Sequence, residues 1–393
     1  MLKSQLWSVS QASIGIVQWI GIAILFGPTI LERTGSGLLV GQAMLILGLS
    51  GLVAPMLGGL ADKFHAHRPM LRFALLCHIS ALALLLYPAQ CDSYYWLIAL
   101  LFGLGSNLLF VLNPTFAVKL NPNSSDKAKS LKLLFQLQML GVVIAGSVVG
   151  LMDRLDYSTN LQISALLILD ICCFTILCLN PPAPLPCHRS EADTHENATH
   201  GRTWLLWLTF IFTTFISMFV GSNMVEMGPL IINKGFSIEL SNSAFGMALS
   251  ALVTIFALVP AGKWMERHGS IGLWLLTVLI NLIVGVSIWA MFGHSLLSLL
   301  PMSLIIFSII NGAWNDISLA ALADELSPMT PAATQGLVAA AISLGFAIGT
   351  FIVGWLFELN AVAHVMAFLA ISGVVLGVLG AIVWLLYRKQ SAL

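Results

Sequence analysis

The sequence predicts an all-α membrane protein of twelve transmembrane helices arranged as two parallel six-helix repeats. Three observations carry that expectation. Of the 393 residues 58% are hydrophobic and only 9% charged, against about 25% charged in a soluble domain. The apolar residues fall in runs that match the ~20 residues needed to cross a hydrocarbon core of about 30 Å. The second half of the chain also repeats features of the first at one constant offset.

The spans follow in order. Apolar runs lie near 6–30, 38–60, 70–89, 94–118, 131–151 and 160–180, then, after a polar stretch, near 204–232, 242–262, 271–292, 296–322, 334–357 and 363–387. Each is read as a helix, because backbone in lipid must satisfy its own hydrogen bonds and an open sheet cannot. The first span is long and lacks a small-residue cleavage site, so it is expected to be retained. The domain reading is an N-terminal bundle over 1–180, a cytoplasmic linker over 181–203 and a C-terminal bundle over 204–393. Within the linker, Cys187, His188, His195 and His200 match no standard metal spacing, and no metal or cofactor is expected. The six cysteines lie mostly in helices or in the linker and imply no disulfide framework.

Basic residues set the orientation. With the N-terminus inside, 14 of them (Lys3, Lys63, Arg68, Arg72, Lys119, Lys127, Lys129, Lys132, Arg189, Arg202, Lys263, Arg267, Arg388, Lys389) fall on the cytoplasmic side. Only 3, Arg33, Arg154 and Lys234, fall outside, so the positive-inside rule places both termini in the cytoplasm. The expected location is a bacterial cytoplasmic (inner) membrane, multi-pass. The net charge is zero and the cations are spread over many short loops, which predicts no nucleic-acid partner.

Sliding the chain by 204 residues superimposes Gly58, Asp62 and Lys63 on Gly262, Glu266 and Arg267, and Asn107 on Asn311. The same shift puts Gly141 on Gly345, Ala145 on Gly349 and Gly150 on Gly354. One register held over several spans argues for duplication. Six spans per repeat is an even number, so the halves run parallel about an axis along the membrane normal.

The loop "GGLADK" at 58–63 and its partner "GKWMER" at 262–267 resemble the signature of the major facilitator superfamily between helices two and three and its degenerate copy between helices eight and nine. The resemblance covers essentially the whole chain and implies a central cavity between two bundles, open alternately to either side. It also implies that spans one, four, seven and ten line that cavity. In the family this loop clamps the bundles together when the cavity faces outward, which makes Asp62 and Lys63, mirrored by Glu266 and Arg267, gating candidates. Asp62 has Lys63, Arg68 and Arg72 nearby; it can pair with basic groups or cap a neighbouring helix N-terminus. The family's pattern is departed from at His65, where glycine is common.

Two glycine-rich copies, "GVVIAGSVVG" at 141–150 and "GFAIGTFIVG" at 345–354, have the small-residue spacing that lets helices approach closely. They are read either as plain packing faces or as a form of the helix-five motif of drug/proton antiporters, with Gly146 where that motif has proline. Span four lacks the arginine those antiporters carry, Ala99 standing four residues before Gly103.

Ionisable groups inside a bilayer cost about 2.5–3.5 kcal/mol on insertion scales and mark function by default. Three acids qualify: Glu226 in span seven, Asp316 in span ten and Asp170 in span six. Glu226 and Asp316 lie on helices expected at the cavity and are the coupling candidates; span six is expected at the periphery. Asn223 precedes Glu226 by one helical turn, and "MGP" at 227–229 interrupts the helix, Pro229 freeing a backbone carbonyl. Solute-binding candidates are Gln18, Trp19, Asn107, Asn113, Asn223, Asn311, Trp314 and Asn315. Gln11 shares a face with Gln18 at seven-residue spacing, and Phe110, Phe215 and Phe219 are candidates for an apolar wall.

Such a site suits a medium-sized organic solute, and the absence of a central arginine argues against phosphates or dicarboxylates. No GxxxxGK[ST] loop and no nucleophile–base set is present, which predicts neither an ATP-driven pump nor an enzyme. The expected activity is monomeric, proton-coupled export of a small organic compound by alternating access. Export of a siderophore or another metabolite with different coupling, uptake by symport, and a non-transporting sensor remain as alternatives.

Overall fold

A computed structural model of the chain describes residues 2–88, 91–120, 124–185, 197–237, 243–294, 299–359 and 361–391. Within these residues every regular element is a helix. The membrane-length helices are α1 (Leu6–Thr34), α2 (Leu39–Phe64), α3 (His67–Leu85), α4 (Asp92–Lys119), α5 (Ser124–Arg154) and α6 (Thr159–Leu179). In the second half, α7 (Asn197–Glu226) is broken at Met227 and continued by Gly228–Phe236. The long helix Ser243–Met291 breaks at Gly269 (φ 77°, ψ 174°). Only glycine adopts that backbone without strain, so the segment is two helices, α8 (243–268) and α9 (270–291). Then come α10 (Leu299–Leu326), α11 (Pro331–Glu358) and α12 (Val362–Ser391).

With twelve spans both ends of the chain lie on one face, called here the termini face. The expected spans all form, with boundaries shifted by a few residues. The starts of α5, at Ser124, and α7, at Asn197 inside the expected linker, shift most; Cys187, His188 and His195 lie outside the described residues, as does the side chain of His200.

The outer surface is apolar. Phe256, Phe351, Leu249 and Ile371 are each more than 60% exposed, the reverse of a soluble protein, where patches of this kind are rare. Lipid is their solvent, and the helices are multi-pass membrane spans.

The first glycine of each copy packs one helix closely on another. A Cβ on Gly141 of α5 would stand 2.3 Å from the Ala12 carbonyl of α1, and one on Gly345 of α11 would stand 2.4 Å from the Phe215 carbonyl of α7. The 204-residue register therefore reappears as equivalent contacts, α5 on α1 and α11 on α7. Gly146 instead faces the other half, against Ala244 and Ala248 of α8. Replacing Gly345 with leucine is expected to force α11 off α7, at about 1–3 kcal/mol or more for an overpacked core. The check is the midpoint of thermal aggregation in detergent, which should fall by several degrees; an unchanged midpoint would show that this contact is dispensable.

Two seams join the halves, α2 along α11 and α5 along α8. Along the first, added Cβ atoms on Gly58 and Gly336 would meet the carbonyls of Ala332 and Ala54 at 2.2 and 2.6 Å. Backbones in such contact seal the termini face.

Candidate functional site

Between the halves lies a cavity of about 860 Å³. Its walls come from the middle and the far ends of the helices, away from the termini face: Gln18 and Trp19 of α1, Gln42 of α2, Val225 and Met227 at the end of α7, Trp355 of α11. It is therefore open opposite the termini and closed toward them. Helices α1, α4, α7 and α10 contribute as the resemblance implies, and α2, α5, α9 and α11 contribute as well.

The floor is a polar layer. Asn107 of α4 donates from Nδ2 to the Gly103 carbonyl (2.7 Å) and to Ser50 Oγ of α2 (3.2 Å), and its Oδ1 accepts from Ser343 Oγ of α11 (2.9 Å). One amide thus joins both halves at the centre of the membrane. Its repeat mate Asn311 donates to Asn281 Oδ1 (2.9 Å) and the Thr277 carbonyl (3.2 Å), while Asn315 Oδ1 accepts from Thr277 Oγ1 (3.3 Å). Gln138 of α5 is held by Gln11, whose Nε2 donates to Gln138 Oε1 at 2.7 Å. Its own Nε2 has no partner among the described residues, and the same holds for Gln18 Oε1 and Asn311 Oδ1. Buried amides with spare donors and acceptors are groups that a solute or water must satisfy. Asp316 is the one carboxylate among the described lining residues, which include no lysine, arginine or histidine.

Several expected solute contacts lie elsewhere. Asn113 is wholly buried behind the wall, donating to Gln11 Oε1 (2.8 Å) and accepting from Ser10 (2.9 Å). Trp314 turns away from the cavity and donates from Nε1 to the Ala257 carbonyl of α8 (2.9 Å). Asn223 is fully buried against Gly349 of α11 and donates back to Phe219 O (2.9 Å). Phe110 lines the cavity, whereas Phe215 and Phe219 meet edge to face, their ring centroids 5.1 Å apart. Gln11 is wholly buried and bonded to Gln138 and Asn113, whereas Gln18 lines the cavity. Glu226 ends α7 between cavity residues Val225 and Met227, but its side chain lies outside the described residues. Asp170 is wholly buried in α6, away from the cavity.

The termini face is closed by charge as well as by shape. Asp62 accepts the backbone N–H groups of Ala332 (3.1 Å) and Ala333 (3.3 Å) on Oδ2, and Oδ1 is 2.9 Å from His67 Nε2. Helix α11 begins Thr330-Pro331-Ala332-Ala333 with no side-chain cap of its own and no acid in its first turn. Asp62, from the other half, supplies the missing acceptor and the negative charge that a helix N-terminus favours. The mirrored arrangement does not form: Glu266 and Arg267 are exposed, and α5 carries its own Asp126 in its first turn. Lys63 is exposed too, its ammonium over the Phe64 ring at 5.6 Å.

A second tie is absent from the sequence reading. Asp324, at the termini end of α10, receives Lys119 of α4 (3.1 Å) and Lys127 of α5 (3.0 Å). The available signal was an acidic pair, Asp324 and Glu325, ending span ten on the face that carries the lysines of the loop between spans four and five.

No family model and no curated protein matches the chain. Solved structures do. The human organic anion transporter MFSD10 (TETRAN) superimposes with a TM-score of 0.70 at 12% identity, over 96% of this chain and 98% of that one. A mutant of the nucleoside transporter NupG does so with a TM-score of 0.62 at 15% identity, over 98% and 100%. At such identities the likeness establishes the fold, which is the major facilitator fold.

Proposed function

We propose that the chain is a secondary active transporter that carries a small organic solute across a bacterial cytoplasmic membrane, exporting it in exchange for protons. The observation that carries this reading is the one-sided cavity. It lies between two repeats, is open to one face, and is shut at the other by ties that run from half to half. A cavity closed by separable contacts is one of two states that differ by a rocking of the halves. The moving units are 1–180 and 204–393, joined by 181–203, in a monomer with both ends in the cytoplasm. Asp62 and Asp324 then act as gate ties, with Lys63, Glu266 and Arg267 on the same cytoplasmic face.

The lining indicates the solute. Amides from Gln18, Asn107, Gln138, Asn311 and Asn315, together with Trp19, offer hydrogen bonds and an apolar face, with Asp316 the single carboxylate among the described lining residues. Such a site takes an uncharged, hydroxyl- or amide-rich molecule or an organic cation. Of the two solute classes in the neighbours' names, it fits nucleosides better than organic anions, which would meet a carboxylate and, among the described lining residues, no cation. The state described here favours a second reading, uptake by symport, because a cavity open away from the cytoplasm is the state that loads solute from outside.

The test is proton release from inside-out vesicles holding an imposed gradient, with nucleosides, cationic drugs and iron-chelating siderophores added one at a time. Release with one class, absent from vesicles lacking the protein, is expected for antiport, and the opposite sign of proton movement identifies symport. Neither proton nor solute movement across the panel, with the protein correctly inserted, would overturn the transporter reading.

A further inference from the structure

Behind the cavity wall, four buried polar side chains on four helices follow one another toward Asp170. Ser106 of α4 lines the cavity, and its Oγ is 3.1 Å from His78 Nε2 of α3. The other ring nitrogen, His78 Nδ1, is 2.8 Å from Ser13 Oγ of α1. Ser13 in turn lies beside the Asp170 carboxyl of α6. His78, Ser13 and Asp170 are all 0% exposed, and neither carboxyl oxygen of Asp170 has a hydrogen bond of good geometry. The imidazole is seated against α4 only because residue 105 is glycine, where a Cβ would stand 2.3 Å from His78 Cδ2.

Packing does not account for this set. A buried carboxyl without partners destabilises, and an apolar residue of similar volume at that position would be neutral or better. Nor do neighbouring charges account for it. The stretches 10–30 of α1, 93–118 of α4 and 133–152 of α5 contain no Asp, Glu, Lys, Arg or His. Between residues 73 and 88 the ionisable groups of α3 are His78, its neighbour Cys77 and, at the far end, Tyr87. Between 160 and 179 of α6 they are Asp170 and three cysteines, of which Cys173 lies within reach of Asp170. His78 and Asp170 are thus the acid–base pair of this half of the membrane interior, bridged by one hydroxyl and opened to the cavity by another.

We propose that His78 and Asp170 form a proton-storage site charged from the cavity through Ser106. The idea rests on the proton-coupled reading for its role in transport, though not for its chemistry. In the form ready to take up a proton Ser106 O–H donates to Nε2, Nδ1–H donates to Ser13 Oγ, and the Ser13 hydroxyl, which makes no hydrogen bond of good geometry to Asp170 in the state described, turns to donate to the Asp170 carboxylate. A proton from cavity water joins Ser106 Oγ as its original proton passes to Nε2. The Nδ1 proton moves to Ser13, and the Ser13 proton moves to Asp170. One proton has left the water and one O–H bond has formed on the carboxyl, with the imidazole neutral at both ends of the step and its tautomer exchanged. Solute seated over Ser106 and Asn107 would close the mouth of this relay, which links solute occupancy to proton release.

The experiment is infrared difference spectroscopy on the full chain in lipid nanodiscs as pH is stepped from about 9 to about 5, the range in which histidine titrates. A carboxylic-acid C=O band that grows on acidification, vanishes in Asp170→Asn and persists in Asp316→Asn is expected. In His78→Gln its midpoint should move, and in Ser106→Ala its exchange with deuterated water should slow at least about tenfold, since one relay member is gone. Ser106→Ala keeps the side chains of His78, Ser13 and Asp170, removing only the hydroxyl on His78 Nε2, and decides the matter even if Asp170→Asn does not fold. A band indifferent to Asp170→Asn, or a rate indifferent to both Ser106→Ala and His78→Gln, would overturn the proposal. Because no solute is added, a positive result together with silent vesicles would count against the transporter reading alone.

Discussion

Replacing Gly58 with valine is expected to drive the molecule out of the state described here. In that state a Cβ at position 58 would lie 2.2 Å from the Ala332 carbonyl oxygen and 3.1 Å from the Ala333 nitrogen, backbone atoms that cannot rotate away. Forcing α2 from the end of α11 costs about 1–3 kcal/mol as overpacking. It also pulls Asp62 from the N–H groups it caps, about 1 kcal/mol more. The sum moves the equilibrium between the two states by about two orders of magnitude. Ala61, wholly buried one turn further along α2, reports the change. As a lone cysteine in a cysteine-free background it should be protected from an impermeant maleimide supplied at the termini face, and the Gly58→Val partner should make it react at least about tenfold faster. Asp62→Asn, which loses charge but keeps an acceptor, should give a smaller change of the same sign. Equal labelling in all three backgrounds would mean that α2 and α11 do not form the seal.

The second large effect is expected at Asp316. It is the single carboxylate among the described lining residues, and a bare charge carried into a closing, dry cavity costs about 2.5–3.5 kcal/mol. On the proposed proton-coupled reading, the empty carrier closes around this group only when a proton or a solute cation neutralises it. Asparagine carries no charge, so the closed and empty form becomes accessible without a load. In proteoliposomes, Asp316→Asn is expected to abolish solute accumulation driven by a pH gradient, a loss of at least about 100-fold, while equilibration down a solute gradient stays within about threefold. That split separates a coupling role from mere binding, where both rates would fall together. Accumulation retained in the variant would move coupling to Glu226 or to the buried His78–Asp170 pair.

How much of this was legible in the sequence depends on the range of the interaction. Helix α7 breaks at Met227, where "MGP" stands, and the α8–α9 break falls at Gly269, because such signals are local to the chain. Asp62 stood out for similar reasons, a lone acid in a short basic loop at a helix end. Its partner could not be read, since the N–H groups of Ala332 and Ala333 lie 270 and 271 residues away and backbone donors leave no trace in composition. Asp324 escaped notice for the same reason, with its lysines in the other half of the chain. Asn113, Asn223 and Trp314 were placed by helix number alone, and each turned out to face a neighbouring helix.

Composition and apolar run length, properties summed along the chain, pointed to a membrane protein of twelve helices, and residue matches at one offset of 204 pointed to its duplication. The same glycine register then reappeared as matched contacts at Gly141 and Gly345. Which polar groups face the cavity, which half caps which, and that Asp170 meets His78 through Ser13 were decided only by the tertiary structure. The reason is rotational: a helix's apolar content fixes that it crosses the membrane, but its turn about its own axis is set by packing against neighbours distant in sequence.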